Sequence, residues 1–339
     1  MSRSGTQPFG VGTFSAGGSP AYAGLVLGDH VLAIRPALRA LDSREAPAAT
    51  SVRDLLANWE SSFAALVRLA ERVEADGISS ERWKDLCLPV DAVRPLPPLD
   101  PPGAVIAVGA NYRQHVMELL AKQVAEDGPL TEEAKAQAEQ LVDERARSGQ
   151  PFAFVGLPSA VCGATDDVVL NDGGTQHDWE LELAVVIGRP ARKVDRETAL
   201  DYVAGYTICN DLTTRDRVFR KDTGPLGADW LAAKSARTFF PLGPWIVPAA
   251  FVPNPQDLEI KLSLNGELMQ SGHTSDMVFG VARLIEYLSS ITELRPGDVI
   301  STGSPQGNGI HWGRFLESGD VMEGEITGLG RQRNRCIKE

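Results

Sequence analysis

Three carboxylates in two short segments have the spacing of a divalent-cation site. Glu180 and Glu182 stand two residues apart at the start of an apolar run, and Asp211 follows the apolar run 205–210. Residues two apart share one face of a β-strand, so Glu180 and Glu182 would project to the same side. Three carboxylates on rigid strands predict a site for Mg²⁺ or Mn²⁺, with Ca²⁺ also allowed. A solvated strand face is the alternative, and spacing alone favours it.

A histidine and a glutamate could activate water. His115 and Glu118 are three residues apart where helical spacing begins, and this spacing places both side chains on one helix face. A carboxylate there can orient an imidazole, which titrates near neutral pH and suits a general base. A histidine beside a charged helix is otherwise a surface residue, and the spacing alone favours that reading.

Short strands and turns must carry these residues. The 339 residues include 33 Gly and 22 Pro, together about 16% against an average of about 12%. From about residue 151 the chain alternates short apolar strands with glycine-rich turns, and a later helix is predicted over 275–290. The predicted fold class is therefore α+β and rich in β-structure.

The N-terminal part has its own pattern. Residues 22–34 predict a hairpin turning at Gly28 and Asp29, and apolar residues at helical spacing predict one helix from Ser51 to Asp76. Five prolines within 94–103 predict an extended connector. We therefore divide the chain into a small α+β domain, 1–100, and a larger second domain, 101–339, which contains the candidate site residues.

Charge and apolar content exclude some classes of function. With 33 Lys+Arg against 45 Asp+Glu, the net charge is −12, so nucleic-acid binding is not expected. The N-terminus lacks the apolar region of a signal peptide, and no stretch reaches the roughly 20 apolar residues of a membrane span. These features predict a cytoplasmic protein with no membrane contact. The four cysteines are far apart, which predicts reduced packing residues.

Six ordered segments resemble the fumarylacetoacetate hydrolase family over about residues 103–335. The family's patterns include G-x-N-Y-x-x-H-x-x-E, D-x-E-x-E-L-A-V-V-I-G and L-x-P-G-D-x-I-x-T-G-T-P. The matching segments are GANYRQHVMEL (109–119), DWELELAVVIG (178–188), GYTICNDLTTRD (205–216), KSARTFFPLGPWIV (234–247), SDMVFGVARLIEYLS (275–289) and LRPGDVISTGSPQGNG (294–309).

The resemblance implies a fold and roles for individual residues. The implied catalytic domain is a mixed β-sandwich roll with a helical lid at about 112–150, and the family usually forms homodimers. The implied roles are metal ligation by Glu180, Glu182 and Asp211; water activation by a His115–Glu118 dyad; charge stabilisation by Lys234 and Arg215; and substrate binding by Tyr112, Thr238, Thr302 and Gly303.

The resemblance also implies a reaction on a small anionic keto acid. The leading expectation is a metal-dependent hydrolase that cleaves a C–C bond in a short β-diketo acid, of acylpyruvate or fumarylpyruvate type, through a metal-chelated enolate. The alternative in the same fold is a lyase, decarboxylase, isomerase or dehydratase acting on an oxaloacetate-like or 2-keto acid. A non-catalytic keto-acid sensor would have lost a metal carboxylate or the dyad, and this chain keeps both.

Four positions depart from the family's patterns. Residues 154–158 lack the basic residue of the pattern F-x-K-P, and Gly156 stands in that stretch. Arg237 takes the place of an aspartate, Val218 the place of a glutamine and Ser304 the place of a threonine. These departures leave the ligands and the dyad in place and bear on the choice of substrate.

Overall fold

The computed structural model describes residues 6–41, 51–124, 131–220, 222 and 227–339. The strands are β1 Gly10–Ser15, β2 Tyr22–Leu27, β3 His30–Ala33, β4 Cys87–Pro89, β5 Arg94–Leu96, β6 Val105–Gly109, β7 Phe152–Gly156, β8 Val161–Gly163, β9 Val168–Leu170, β10 His177–Asp178, β11 Leu181–Ile187, β12 Val203–Asn210, β13 Thr213–Thr214, β14 Phe240–Pro248, β15 Glu259–Leu264, β16 Glu267–His273, β17 Val299–Ser301, β18 Val321–Ile326 and β19 Gly330–Lys338. The helices are α1 Ile34–Leu41, α2 Val52–Ala57, α3 Trp59–Asp76, α4 Arg113–Val124, α5 Glu132–Ser148, α6 Trp230–Lys234, α7 Val281–Ile291 and α8 Gly309–Trp312.

Two sheets carry most of the chain. The larger has twelve strands along the order β4-β3-β2-β1-β14-β12-β11-β17-β6-β7, with β5 beside β1 and β8 beside β14. The smaller has the order β16-β15-β18-β19-β9, and β10 pairs with β13 alone. This confirms the β-rich α+β fold class.

Strand β11 separates two apolar cores. All seven of its residues are buried. Leu181, Leu183, Val185 and Ile187 face the core that includes the smaller sheet, whereas Ala184 and Val186 face the core that includes α2 and α3. Because successive strand residues alternate in direction, a continuous apolar run is the pattern of a strand covered on both sides.

The N-terminal strands extend the large sheet. Val11 of β1 pairs with Ile246 of β14, so backbone hydrogen bonding runs across the predicted boundary. The predicted hairpin is present as β2 and β3. The proline-rich connector contributes β5, which pairs with β1. The division at residue 100 stays a prediction.

The helix predicted over 51–76 is divided. Ser51 begins α2 with a capping box, in which its hydroxyl accepts from the Asp54 amide and the Asp54 carboxylate accepts from the Ser51 amide. Asn58 then leaves helical geometry at φ −136° and ψ 54°, and α3 begins after it. The prediction of one helix was wrong because apolar spacing does not register a single non-helical residue.

The predicted lid contains α4 and α5, and its residues 125–130 lie outside the described residues. The two helices are joined by an ion pair of 2.5 Å between Arg113 and Asp143. The Gln114 amide donates to the Asp276 carboxylate at 3.0 Å, which satisfies one free N–H of the first turn of α4.

The helix predicted over 275–290 begins later, at Val281. Residues Thr274–Asp276 form a 3₁₀ turn instead, and this turn presents Asp276 to α4. Two short helices, α6 and α8, were not predicted. Among the described residues, no helix has the length and apolar character needed to cross a membrane.

The buried Asp298 carboxylate joins the start of β6 to the turn before β17. It accepts from the amides of Ala104 and Arg295, both at 2.7 Å. We predict that Asp298→Ala lowers the free energy of unfolding by about 3 kcal/mol, because two backbone donors lose their partner. Urea denaturation measures the change. The exposed Asp195, changed to Ala, is the control and should shift stability by less than about 0.5 kcal/mol; equal effects would contradict the role of Asp298.

Candidate metal centre

Glu180, Glu182 and Asp211 form one cluster, which we call the carboxylate triad. One carboxylate oxygen from each lies within 4.8 Å of the others. Glu182 is on β11, Glu180 precedes that strand, and Asp211 follows β12. The pairing of Leu181 with Asn210 brings the strand ends together, and the Asp211 amide donates to the Glu180 carbonyl at 2.9 Å. The predicted grouping is therefore present.

Burial makes this grouping electrostatically costly. Glu182 is 1% exposed, and its Oε2 accepts from the Gly303 amide at 2.7 Å and from the Ser301 hydroxyl. Burial, followed by the Asp211 and Glu180 carboxylates, raises the pKa of Glu182 well above its usual range. Burial also raises the pKa of Asp211. Carboxylates placed this close need a nearby cation to stay ionised together.

Lys234 supplies one positive charge. It lies at the end of α6, and its Nζ is 2.6 Å from Asp211 Oδ2 and 3.4 Å from Glu180 Oε1. Burial alone would lower the pKa of Lys234, but the surrounding carboxylates raise it above the usual value. The ammonium group is therefore charged and lies against the triad.

Arg215 supplies a second positive charge through two contacts. Its Nε donates to Asp178 Oδ2 at 2.7 Å, and its Nη2 lies 2.8 Å from Glu180 Oε1. Burial alone would raise the pKa of Glu180, but Arg215 and Lys234 lower it to about 2. Asp178 is fully buried and also accepts from the amides that begin α8, Gly309 at 2.5 Å and Ile310 at 3.1 Å.

The triad fits a divalent cation. Its donors are hard carboxylate oxygens, which Mg²⁺, Mn²⁺ and Ca²⁺ all accept. The ammonium of Lys234 lies between two of the three carboxylates, so the triad attracts positive charge. Glu180, Glu182 and Asp211 are the residues that would hold the metal.

Gly303 needs the conformational freedom of glycine. Its φ is +96°, and a Cβ built there would lie 2.8 Å from the Cβ of Asn111. The close approach serves the metal centre, since the Gly303 amide donates to Glu182. The sequence predicted close backbone approach at this residue for substrate binding, and a substrate contact stays a prediction.

The other predicted substrate residues are held by the protein itself. The Thr302 hydroxyl donates to the Leu183 carbonyl at 2.9 Å. The Thr238 hydroxyl accepts from the Val169 amide at 2.7 Å. Tyr112 is fully buried, and burial together with the Glu182 carboxylate raises its pKa well above the usual range. Their substrate contacts stay predictions.

Both members of the predicted dyad are on α4. When protonated, His115 helps to lower the pKa of the Glu180 carboxyl. Glu118 Oε2 lies 3.0 Å from Nδ1 of His311. The pairing of His115 with Glu118 stays a prediction.

Sequence reasoning missed three polar residues of this region. Asp178 holds Arg215, Ser301 bonds Glu182, and His311 contacts Glu118. Asp178 had a signal, since it is the first residue of the D-x-E-x-E pattern. The other two contacts depend on how distant segments pack.

The departures from the family's patterns have distinct surroundings. Ser304 accepts from the side-chain amides of Gln270 at 2.8 Å and Asn308 at 3.1 Å, which fixes the loop that follows Gly303. Val218 is buried beyond Arg215 and Arg237 is exposed. Gly156 pairs with Val105 in the sheet.

Comparison with known proteins identifies the family. The family described as "Fumarylacetoacetate (FAA) hydrolase C-terminal" matches residues 104–337. The chain belongs to the fumarylacetoacetate hydrolase family. The matched range contains the whole carboxylate triad, Lys234 and Arg215.

Members of the fumarylacetoacetate hydrolase family with related sequences or folds include hydrolases and isomerases. A 2,4-didehydro-3-deoxy-L-rhamnonate hydrolase from Sphingomonas sp. (strain SKA58) is 37% identical over 238 residues, 69% of this chain and 73% of that protein. The maleylpyruvate hydrolase from Sphingobium sp. SYK-6, solved with manganese(II) and pyruvate, has a TM-score of 0.68 at 28% identity, covering 97% of this chain and 99% of that one. A 5-carboxymethyl-2-hydroxymuconate delta-isomerase from Mycobacterium smegmatis has a TM-score of 0.66 at 26% identity, covering 97% and 100%.

We predict that Glu182→Gln weakens Mn²⁺ binding by at least about 100-fold, because a neutral amide replaces a charged ligand. The amide has nearly the same shape, and removing one of three mutually repelling carboxylates should leave the protein folded. Isothermal titration calorimetry measures the affinity. Glu323→Gln is the matched control because Glu323 is half-exposed on β18 and pairs with Arg333. Equal Mn²⁺ affinity in both variants would contradict the assignment.

Proposed function

We propose that this protein is a divalent-metal-dependent hydrolase that cleaves a C–C bond in a short β-diketo acid of acylpyruvate or fumarylpyruvate type. The observation that carries the proposal is the carboxylate triad, largely buried, with Lys234 and Arg215 at its edge. A related protein carries the name of a hydrolase, and a similar structure is a maleylpyruvate hydrolase holding manganese(II) and pyruvate.

The charge balance supports an anionic substrate. The chain has a net charge of −12, which repels an anion at long range. A bound Mg²⁺ or Mn²⁺ supplies Lewis-acid polarisation of keto oxygens. Lys234 and Arg215 add fixed positive charge at the same place, and Lys234 is positioned to stabilise negative charge that develops on a keto oxygen.

Water activation is assigned to His115. It is the third residue of α4 and, when protonated, helps to lower the pKa of the Glu180 carboxyl. In the proposed reaction His115 takes a proton from water, and the resulting hydroxide attacks the carbonyl remote from the carboxylate. The C–C bond then breaks to give a carboxylic acid and the enolate of pyruvate, and the proton held by His115 passes to the enolate carbon to give pyruvate. Glu118 orients the histidine.

An isomerase or decarboxylase is the second candidate. The likeness to the delta-isomerase favours it, as does the apolar stretch 154–158, which lacks the basic residue common in the family. Those reactions share the need for a polarised keto acid and need less water activation. The products distinguish the candidates.

A mass-spectrometric screen tests the proposal. The purified protein, loaded with Mg²⁺ or Mn²⁺ or stripped by a chelator, is incubated with acylpyruvates, fumarylpyruvate and oxaloacetate. We predict metal-dependent formation of pyruvate and a carboxylic acid from a diketo acid. Release of CO₂ from oxaloacetate alone, an isomer of unchanged mass, or no turnover of any compound would contradict the proposed hydrolysis.

The same assay tests Glu118. We predict that Glu118→Ala lowers kcat at least about 100-fold while Mn²⁺ affinity stays within about twofold, since Glu118 lies outside the triad. Glu133→Ala is the control, because Glu133 is an exposed carboxylate in the first turn of α5. Parallel loss of activity and metal affinity would contradict the role of Glu118.

A further inference from the structure

Glu118, the second member of the predicted dyad, contacts a histidine that is far from it in the sequence. Glu118 Oε2 and His311 Nδ1 are 3.0 Å apart, although 193 positions, 118 to 311, separate them in sequence. Carboxylate oxygens only accept at neutral pH, so Nδ1 carries the proton and donates. The pairing spans two elements, α4 and α8.

Hydrogen bonds at both ends of α8 hold the helix that carries His311. The first two amides of α8 donate to the buried Asp178 carboxylate. At the other end of the helix, the Trp312 indole N–H donates to the carbonyls of Met269 at 3.2 Å and Gly307 at 3.1 Å. The His311 and Trp312 rings are edge to face with centroids 5.4 Å apart. These contacts restrict the direction in which His311 can point.

Helix α8 is connected to the carboxylate triad through Asp178 and Arg215. Asp178 accepts from Arg215 Nε, and Arg215 Nη2 contacts Glu180. A continuous series of polar contacts therefore leads from Glu118 through His311, α8, Asp178 and Arg215 to a proposed metal ligand. The loop before α8 adds support, because Ser304 is held by Gln270 and Asn308.

Helix α4 is anchored at its start, and Glu118 lies more than one turn further along. Asp276 binds the Gln114 amide, and Tyr112 bridges to Met277. These contacts, together with the ion pair from Arg113 to Asp143 of α5, hold the first turn of α4. A contact at Glu118 adds a second point, and two points define the orientation of the helix face that carries His115.

We infer that His311 is a positioning residue: by holding Glu118, it fixes the face of α4 that presents His115 to the triad. The catalytic consequence rests on the proposed function, whereas the positioning itself does not.

A surface ion pair without consequence is the alternative. The side chains of His311 and Glu118 are 38% and 37% exposed, and pairs at such exposure contribute little to global stability. Global stability is therefore the wrong measurement. The inference concerns the local opening of α4, which amide hydrogen exchange detects directly.

Hydrogen exchange of peptides covering residues 113–124 tests the positioning. We predict that His311→Ala speeds exchange about two- to fivefold, the effect of losing one partly exposed charge-assisted hydrogen bond. His311→Asn should restore near wild-type exchange, because the asparagine amide can donate from about the position of Nδ1. His30→Ala is the matched control, since His30 is also partly exposed and pairs with Asp29 at 2.6 Å.

A double-variant cycle separates positioning from general loosening. If His311 acts through Glu118, His311→Ala should add no further exchange in a Glu118→Ala background. Additive effects, or exchange equal to that of the wild type in His311→Ala, would overturn the inference. Should His311→Ala fail to fold, Glu118→Ala removes the same contact from the other side: faster exchange over residues 113–124 supports the inference, and exchange equal to that of the wild type overturns it.

Kinetics give a second readout if a substrate is found. We predict that His311→Ala lowers kcat about tenfold with KM within about twofold, because a misaligned His115 affects the chemical step more than binding. An equal change in both parameters would contradict positioning. The exchange experiment needs neither metal nor substrate, so failure of the proposed hydrolysis would leave it decisive.

Discussion

Repulsion among three carboxylates, two buried and that of Glu180 partly buried, is the constraint on which the structure around the site depends. Glu180, Glu182 and Asp211 lie together with little water to screen them. In the protein alone, Lys234 and Arg215 offset part of this charge. Such a cluster is stable when cations surround it and costly when they are removed. The geometry that attracts a divalent metal therefore also needs positively charged side chains beside it.

The fold supplies the rigidity that this arrangement needs. β11 is buried on both faces, and its neighbours β12 and β17 bring Asp211 and Ser301 to Glu182 through backbone pairing. Gly303 continues from β17 and places an amide against the same carboxylate. Strand pairing thus fixes the triad, whereas the short helix α6 places Lys234 against it and the short helix α8 holds Asp178 and contacts Glu118.

The sequence predicts the strand-borne part of the site well and the helix-borne part poorly. The spacing of Glu180 and Glu182 follows from the two-residue period of a strand. Lys234 was found through the family's pattern, but its helix α6 has five residues and too few turns to show a period. Helix α8, which carries His311, is also too short to show a period. The contact between Glu118 and His311 comes from the packing of segments far apart in the chain, which no local pattern records. Likewise, apolar spacing over 51–76 marked the buried face of two helices and not the break at Asn58.

Anomalous X-ray diffraction from crystals of the Mn²⁺-loaded protein tests the central claim most directly. The account predicts one strong manganese peak bounded by carboxylate oxygens of Glu180, Glu182 and Asp211, at about 2.0–2.4 Å from each. A manganese peak elsewhere would contradict the assignment of the triad as the metal site. So would a triad that contacts Lys234 and no manganese at saturating Mn²⁺.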